Sequence, residues 1–239
     1  MFEIIGEVEP TRSREKLEKW IPPLRGLLDW IDVPESPLGV PRAHSVAVAA
    51  YIQERYGIPG IAHVRVSDVN LVAFKSLVGA AVLLGITRLV ALRGDPPSEG
   101  GECGHLSPED AIGLARSHGL GAVEVGVLVS TRRAPAEISA RLRSRPDFVF
   151  ILNSTPQSLR SLVAEARALG VRVYPYLVVE TDRNRWLTSK MPAYVPRHSI
   201  ESVPAVASEL EGLVDGVVLS VPADYAGLAE AARLVRRMP

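Results

Sequence analysis

Apolar residues fall into eight short runs rich in Val, Ile and Leu, separated by stretches in which apolar positions recur every three or four residues. The runs cover 2–8, 27–33, 60–66, 88–93, 122–129, 147–153, 171–179 and 214–221, and most lack the polar alternation of a half-exposed strand. The stretches 13–21, 43–56, 70–85, 107–119, 134–143, 155–170, 199–213 and 223–237 carry helical spacing. Ser107 followed by Pro108, Glu109 and Asp110 reads as an N-cap, a proline in the first turn and acids at the helix start; Gly85, Gly119 and Gly170 stand where C-terminal caps belong.

Eight alternations of strand and helix, with strands apolar on both faces, predict a parallel sheet covered by helices. Eight such units close most simply into a TIM (β/α)8 barrel. A doubly wound open sheet is the alternative, but it usually has fewer strands and often opens on a glycine-rich phosphate loop, and none follows the first strand here. No repeat, low-complexity tract or linker divides the chain, so residues 1–239 read as a single TIM-barrel domain. The longest irregular piece, 180–199, follows the seventh strand on the face where barrels of this kind keep their active sites.

Composition narrows the function classes. Lys and Arg together number 27, as do Asp and Glu, so no net field favours nucleic acid or an anionic membrane. The opening "MFEIIGEVEPTRSR" places acids where a signal peptide is basic, and no apolar run approaches the ~18 residues of a membrane span. A cytoplasmic location is expected, and the single cysteine, Cys103, leaves no internal disulfide to form.

In a TIM barrel, polar residues at the C-terminal strand ends point at the active site. Here they are Glu7 and Glu9, Asp32 and Glu35, His63, Arg65 and Asp68, Arg93 and Asp95, then Ser130, Thr131 and Arg132, Asn153, Glu180 and Asp182, and Ser220. The first four strands are the richer in charge. Each residue also has a plain reading: Asp95 as a loop cap, His63 as an interior histidine bonded to a backbone carbonyl, Asp32, Asp68 and Glu124 as partners for the many arginines, His44 as structural. A metal site would have to come from Glu7, His63 and Asp95, and no H-x-x-E-H-type spacing supports one.

The stretch "GITRLVALRGDPP" (85–97) resembles the most recognisable segment of the methylenetetrahydrofolate reductases, flavoenzymes built on a TIM barrel. Upstream, "RAHSVAVAAYIQERYGIPGIAHVRVSD" (42–68) is similar to that family's second helix and third strand, and "GEVEPTR" (6–12) to its opening strand. The resemblance implies FAD, or FMN, bound at the barrel mouth, with NAD(P)H as electron donor and a one-carbon-loaded reduced pterin as substrate. It carries flavin contacts to His63, Arg93, Gly94 and Asp95. It makes Glu7 the general acid and Asp95 a carboxylate serving both flavin and pterin. Glycine at 94 would let the backbone approach the flavin.

The likeness is weaker in the substrate half. The family's Thr-Tyr after the second strand is replaced by "VPESP" with Glu35, its fifth-strand tyrosine by Val129, and its sixth-strand glutamine by Phe150, with Asn153 the nearest amide. No arginine follows the eighth strand, and the segment between strands five and six is short. Glu35 and Asn153 are therefore the substrate-binding candidates. The expected activity is a flavin-dependent reductase converting methylene to methyl. The alternative is a non-redox pterin- or corrinoid-binding methyl-transfer partner, or a non-catalytic subunit, on the same barrel. Whether the barrel pairs with itself or with another subunit stays open.

Overall fold

The computed structural model describes residues 2–117 and 123–238. Its strands are β1 (Glu3–Glu7), β2 (Trp30–Val33), β3 (Gly60–Arg65), β4 (Arg88–Leu92), β5 (Glu124–Ser130), β6 (Phe148–Leu152), β7 (Arg172–Glu180), the short β8 (Arg197–Ser199) and β9 (Gly216–Ser220). All pair in parallel. The ring runs β1 to β7 and closes through β9, which pairs with both β7 and β1, while β8 lies outside it against the end of β7. Closure excludes the open doubly wound sheet.

The helices are α1 (Arg14–Trp20), α2 (Ser45–Tyr56), α3 (Leu71–Leu83), α4 (Pro108–Ser117), α5 (Pro135–Arg143), α6 (Pro156–Ala168), α7 (Arg185–Thr188), α8 (Val203–Leu210) and α9 (Tyr225–Arg236). Ser107 caps α4 as expected: its hydroxyl accepts from the Asp110 N–H at 3.1 Å while the Asp110 carboxylate accepts from the Ser107 N–H at 2.9 Å. Gly85 and Gly170 follow their helices at positive φ, and Gly119 lies outside the described residues. The second strand starts at Trp30 rather than at residue 27. Asp29 accepts the Ile4 N–H at 2.8 Å and pairs with Arg236 at 2.9 Å, which holds the preceding residues in a turn. The irregular piece 180–199 contains α7 and β8, both too short to show a period.

Strand alternation fills the cylinder in layers. At the N-terminal end Arg88, 5% exposed, donates to Glu3 at 2.9 and 3.2 Å and to Glu124 at 2.9 Å, and lies over the Trp30 ring at 4.0 Å. Tyr174 adds a hydroxyl to Glu3 at 2.6 Å. Burial would raise the Glu3 pKa, but the bonds from Arg88, Tyr174 and Trp30 outweigh it and hold Glu3 below its ordinary value. Above this ionic plug lies an apolar layer of Ile5, Ile61, Val90, Phe148, Phe150 and Val218. Phe148 and Phe150 approach at 5.3 Å between centroids, and each meets Tyr174 edge-on. Gly126 makes this packing feasible, because a Cβ there would fall 2.3 Å from the Phe148 ring. The barrel is thus solid from below, and a ligand can enter only from the C-terminal face.

Candidate active site

The top layer opens into a cavity of about 480 Å³, a size suited to a small organic ligand. Leu92, Leu128, Leu152 and Val178 give apolar walls, and Leu38, Met191, Val195 and Pro196 come from the loops above. The last three belong to the irregular piece after β7, which does reach the active-site face. Glu7, His63 and Asp95 line this one cavity, as do Gly94, Glu35 and Asn153.

Glu7 ends β1 and is half-buried. Burial, then the Asp32 charge beside it, raise its carboxyl from 4.5 to about 7; the hydrogen bond with Ser220 and the proximity of His63 pull the other way. Asp32 is fully buried and its two oxygens are taken: Oδ1 lies 2.7 Å from His63 Nε2, and Oδ2 accepts the Tyr176 hydroxyl at 2.6 Å. This corrects the expectation that Asp32 pairs with an arginine. Burial and these carboxyl neighbours push the Tyr176 hydroxyl well above its ordinary range, so it stays a donor.

His63 is 2% exposed and bonds a carboxylate, where a backbone carbonyl was the plain expectation. Asp32 can only accept, so Nε2 carries the proton and Nδ1 is left buried without a partner. Glu35 is occupied locally. It accepts the Ser45 N–H at 2.7 Å and the Ser36 hydroxyl at 2.8 Å, holding the start of α2. His44 caps the same helix through Nδ1, which accepts from Val46 N–H at 3.2 Å. Asn153, in the left-handed region at φ 59°, donates to the Ser130 hydroxyl at 3.1 Å. Arg93 turns away from the cavity; its side chain is 74% exposed and pairs with Glu102 at 3.1 Å.

Arg65 is the residue whose importance the sequence understated. Its buried guanidinium grips Asp68 through two nitrogens at 2.6 and 3.1 Å, and donates to the Ser36 carbonyl at 3.2 Å and the Asp95 carbonyl at 2.8 Å. One side chain thereby ties the loops after β2, β3 and β4 around the mouth. Gly94 packs on it at φ +84°, and a Cβ there would meet the guanidinium carbon at 2.9 Å. The glycine of the Arg-Gly-Asp run is thus required first by Arg65. Pro96 supports the same clasp. Its carbonyl oxygen sits where a Cβ on Gly39 would be, and Ser98 bonds the Gly39 carbonyl through both N–H and hydroxyl at 3.0 Å.

The positions of the substrate-half departures explain themselves. Phe150 lies in the apolar layer below the cavity, 5.7 Å from the Tyr176 ring, and does not line the mouth. At β5 the cavity is met by Leu128, while Val129 packs outward in the main core. Among the described residues, no group of three or more His, Cys, Asp or Glu side chains is placed to hold a metal ion. No helix among them is long and apolar enough to cross a membrane.

Solved structures share the barrel. Tryptophan synthase from M. tuberculosis in its aminoacrylate-bound form matches with a TM-score of 0.64 at 16% identity, over 98% of this chain and 94% of that one. The tryptophan synthase complex from Pyrococcus furiosus gives 0.56 at 11% identity, over 100% and 97%. N-(5'-phosphoribosyl)anthranilate isomerase from Pyrococcus furiosus gives 0.55 at 16%, over 99% of each chain. At such identities the likeness concerns the fold alone. No curated protein matches the chain. The profile of methylenetetrahydrofolate reductase matches residues 14–116, from α1 into α4, and over this stretch the chain is similar to that family.

Proposed function

We propose that this barrel is a flavin-dependent reductase that converts the methylene group of a one-carbon-loaded reduced pterin to methyl, with Glu7 as the proton donor. Glu7 carries the reading: it is a carboxyl that keeps its proton to about pH 7 in the wall of a cavity whose sides are largely leucine and valine. Glu7 precedes the segment that matches the family, so its role rests on geometry. An acid of that strength is matched to protonating a pterin nitrogen as its bond to the methylene carbon opens, and to regaining the proton from solvent afterwards.

The residues present fit the ring of a flavin. The leucine and valine walls suit a flat heteroaromatic system, and the unpartnered Nδ1 of His63 is a buried polar atom that a ring ligand can satisfy. A bound flavin, recharged by NAD(P)H, would supply the hydride. The Asp95 side chain, exposed at the rim, is free to meet the amino donors of the pterin, and Asn153 offers an amide two strands along the ring. A free cation for a dinucleotide's diphosphate is missing from the lining, where Arg65 is the single basic side chain besides His63 and spends four of its five N–H groups on Asp68 and the Ser36 and Asp95 carbonyls. A non-redox pterin-binding role would use the same cavity without the proton, and the raised proton affinity of Glu7 favours the reductase.

The test is to titrate the purified protein with FAD and FMN, following quenching of flavin fluorescence, and then to separate the two half-reactions. Binding of either flavin, with Glu7→Gln still permitting flavin reduction by NAD(P)H but blocking pterin reduction, supports the reading. A protein that takes up neither flavin overturns it.

A further inference from the structure

The central cavity and the ligands proposed for it disagree in charge. Its lining holds two carboxylates, Glu35 and Asp95, the protonatable Glu7, and one buried guanidinium, Arg65, four of whose five N–H groups are already bonded within the loops. Flavin dinucleotides, nicotinamide dinucleotides and folate-type pterins all bear an oligoanionic end. Such an end would be repelled from this lining and must leave the cavity over its rim.

Beside the cavity, on the same face, a second concavity of about 510 Å³ lies between the loops that follow β1 and β2. Glu9, Pro10, Thr11, Arg12, Ser13 and Lys16 come from the first loop and the start of α1, and Pro41 and Arg42 from the second. The two loops touch where Arg12 reaches the Pro41 carbonyl at 3.5 Å. Three cations, Arg12, Lys16 and Arg42, therefore converge on one hollow against a single carboxylate, Glu9. Among the described residues none of the three has an ion-pair partner, whereas the mouth arginines Arg93, Arg133, Arg183 and Arg185 are all paired with carboxylates. The hydroxyls of Thr11 and Ser13 add donors in the same lining. The loops also supply the cavity's own rim, since Glu7 stands two residues before Glu9 and Leu38 three before Pro41.

We infer that this hollow is the docking site for the oligoanionic end, diphosphate or oligocarboxylate, of the ligand whose ring fills the central cavity. The inference rests on the proposed function for its ring ligand. The arrangement divides recognition in two: apolar walls and Glu7 select the ring, and the Arg12, Lys16 and Arg42 hollow selects a negatively charged tail. Arg132, a cation that follows β5 on the opposite side of the ring and is stacked on Tyr194 at 3.4 Å, serves as the control position for an exit elsewhere.

The experiment compares the wild type with Arg12→Glu/Arg42→Glu and with Arg132→Glu, all changes at exposed positions. Fluorescence and calorimetry report binding of lumiflavin, which is ring alone, and of FAD, and competition by inorganic pyrophosphate and by a glutamate trimer. The double reversal is expected to weaken FAD by about tenfold or more while leaving lumiflavin unchanged, as two attractions become repulsions. Pyrophosphate competition assigns the hollow to a phosphate tail, and competition by the trimer assigns it to a carboxylate tail. The inference is overturned if FAD and lumiflavin weaken equally, if Arg132→Glu alone produces the loss, or if neither anion competes. If no ring ligand binds but pyrophosphate or the trimer binds and is lost on reversal, the anion site stands and the flavin reading falls.

Discussion

Glu7 and Asp32 are register partners across β1 and β2, two carboxyl groups side by side at the top of the barrel. They are served unequally. Asp32 receives the His63 ring and the Tyr176 hydroxyl, whereas Glu7 has Ser220. Burial and the neighbouring charge therefore act on Glu7, whose proton is held to about pH 7.

A proton held in the native state and released in the unfolded chain makes stability fall with pH. For Glu7 the folded value, about 7, exceeds the ordinary 4.5, so its contribution is intact below pH 4.5 and is lost as pH rises through 7. The difference corresponds to about 3 kcal/mol at full ionisation. Glu7→Gln removes the penalty, so the variant should be more stable than the wild type by up to ~3 kcal/mol at pH 8 and nearly equal at pH 4. Urea unfolding at the two pH values measures this. Equal stability at pH 8 would show that Glu7 ionises there at no cost.

The charge on Asp32 should set the alkaline limb of activity. Glu7 must be protonated to act, so reduction should decline as pH rises through about 7. The groups facing Glu7 are Asp32, His63, Glu9 and Ser220, with Tyr176 beyond Asp32. Asp32→Asn removes the charge while preserving shape, and should move the limb toward lower pH as Glu7 returns toward its ordinary value. Tyr176→Phe keeps the charge and strips a hydrogen bond from it, so the limb should stay on the alkaline side. A pH profile unchanged in Asp32→Asn would separate the two carboxyls functionally.

The barrel was legible because its evidence is periodic: eight apolar runs of strand length interleaved with helical spacing. The cavity's carboxylates were legible too, since Glu7, Asp95 and Glu35 sit at strand ends, where barrel geometry concentrates polar groups. The partnership of Asp32 with Tyr176 was not, because it joins β2 to β7 across the ring, residues 144 apart, and the tyrosines of "VYPYLVV" read as ordinary core. Arg65 was named only as one polar strand end among several. A charged residue inside an otherwise apolar strand, with an acid three positions on, was the available signal, and it pointed to a buried clamp more than to a ligand contact.

Phe150 tests whether the aligned glutamine position belongs to the site at all. Its ring is fully buried among Phe148, Tyr174 and Tyr176 and does not line the cavity. Phe150→Gln should therefore cost about 3 kcal/mol or more, through lost packing and an amide left without partners, and gain nothing in ligand affinity. Thermal unfolding alongside flavin titration measures both. Tighter pterin binding in this variant would place residue 150 within reach of the ligand after all.

Arg65 should govern order at the mouth rather than chemistry within it. Lysine at this position keeps a charge but cannot reach Asp68, the Ser36 carbonyl and the Asp95 carbonyl together, because its three donors diverge from one nitrogen. Arg65→Lys should cost roughly 2–3 kcal/mol, tempered by the partial exposure of Asp68, and free the loops after β2 and β4 from each other. Gly94→Ala should reproduce the loosening from the other side, through its φ of +84° and the collision with the guanidinium. Hydrogen exchange at residues 34–40 and 93–98 is the measurement. Both variants should speed exchange in both loops while leaving β1, β6 and β9 protected. Faster exchange confined to the substituted loop would mean that the loops are held by something other than Arg65.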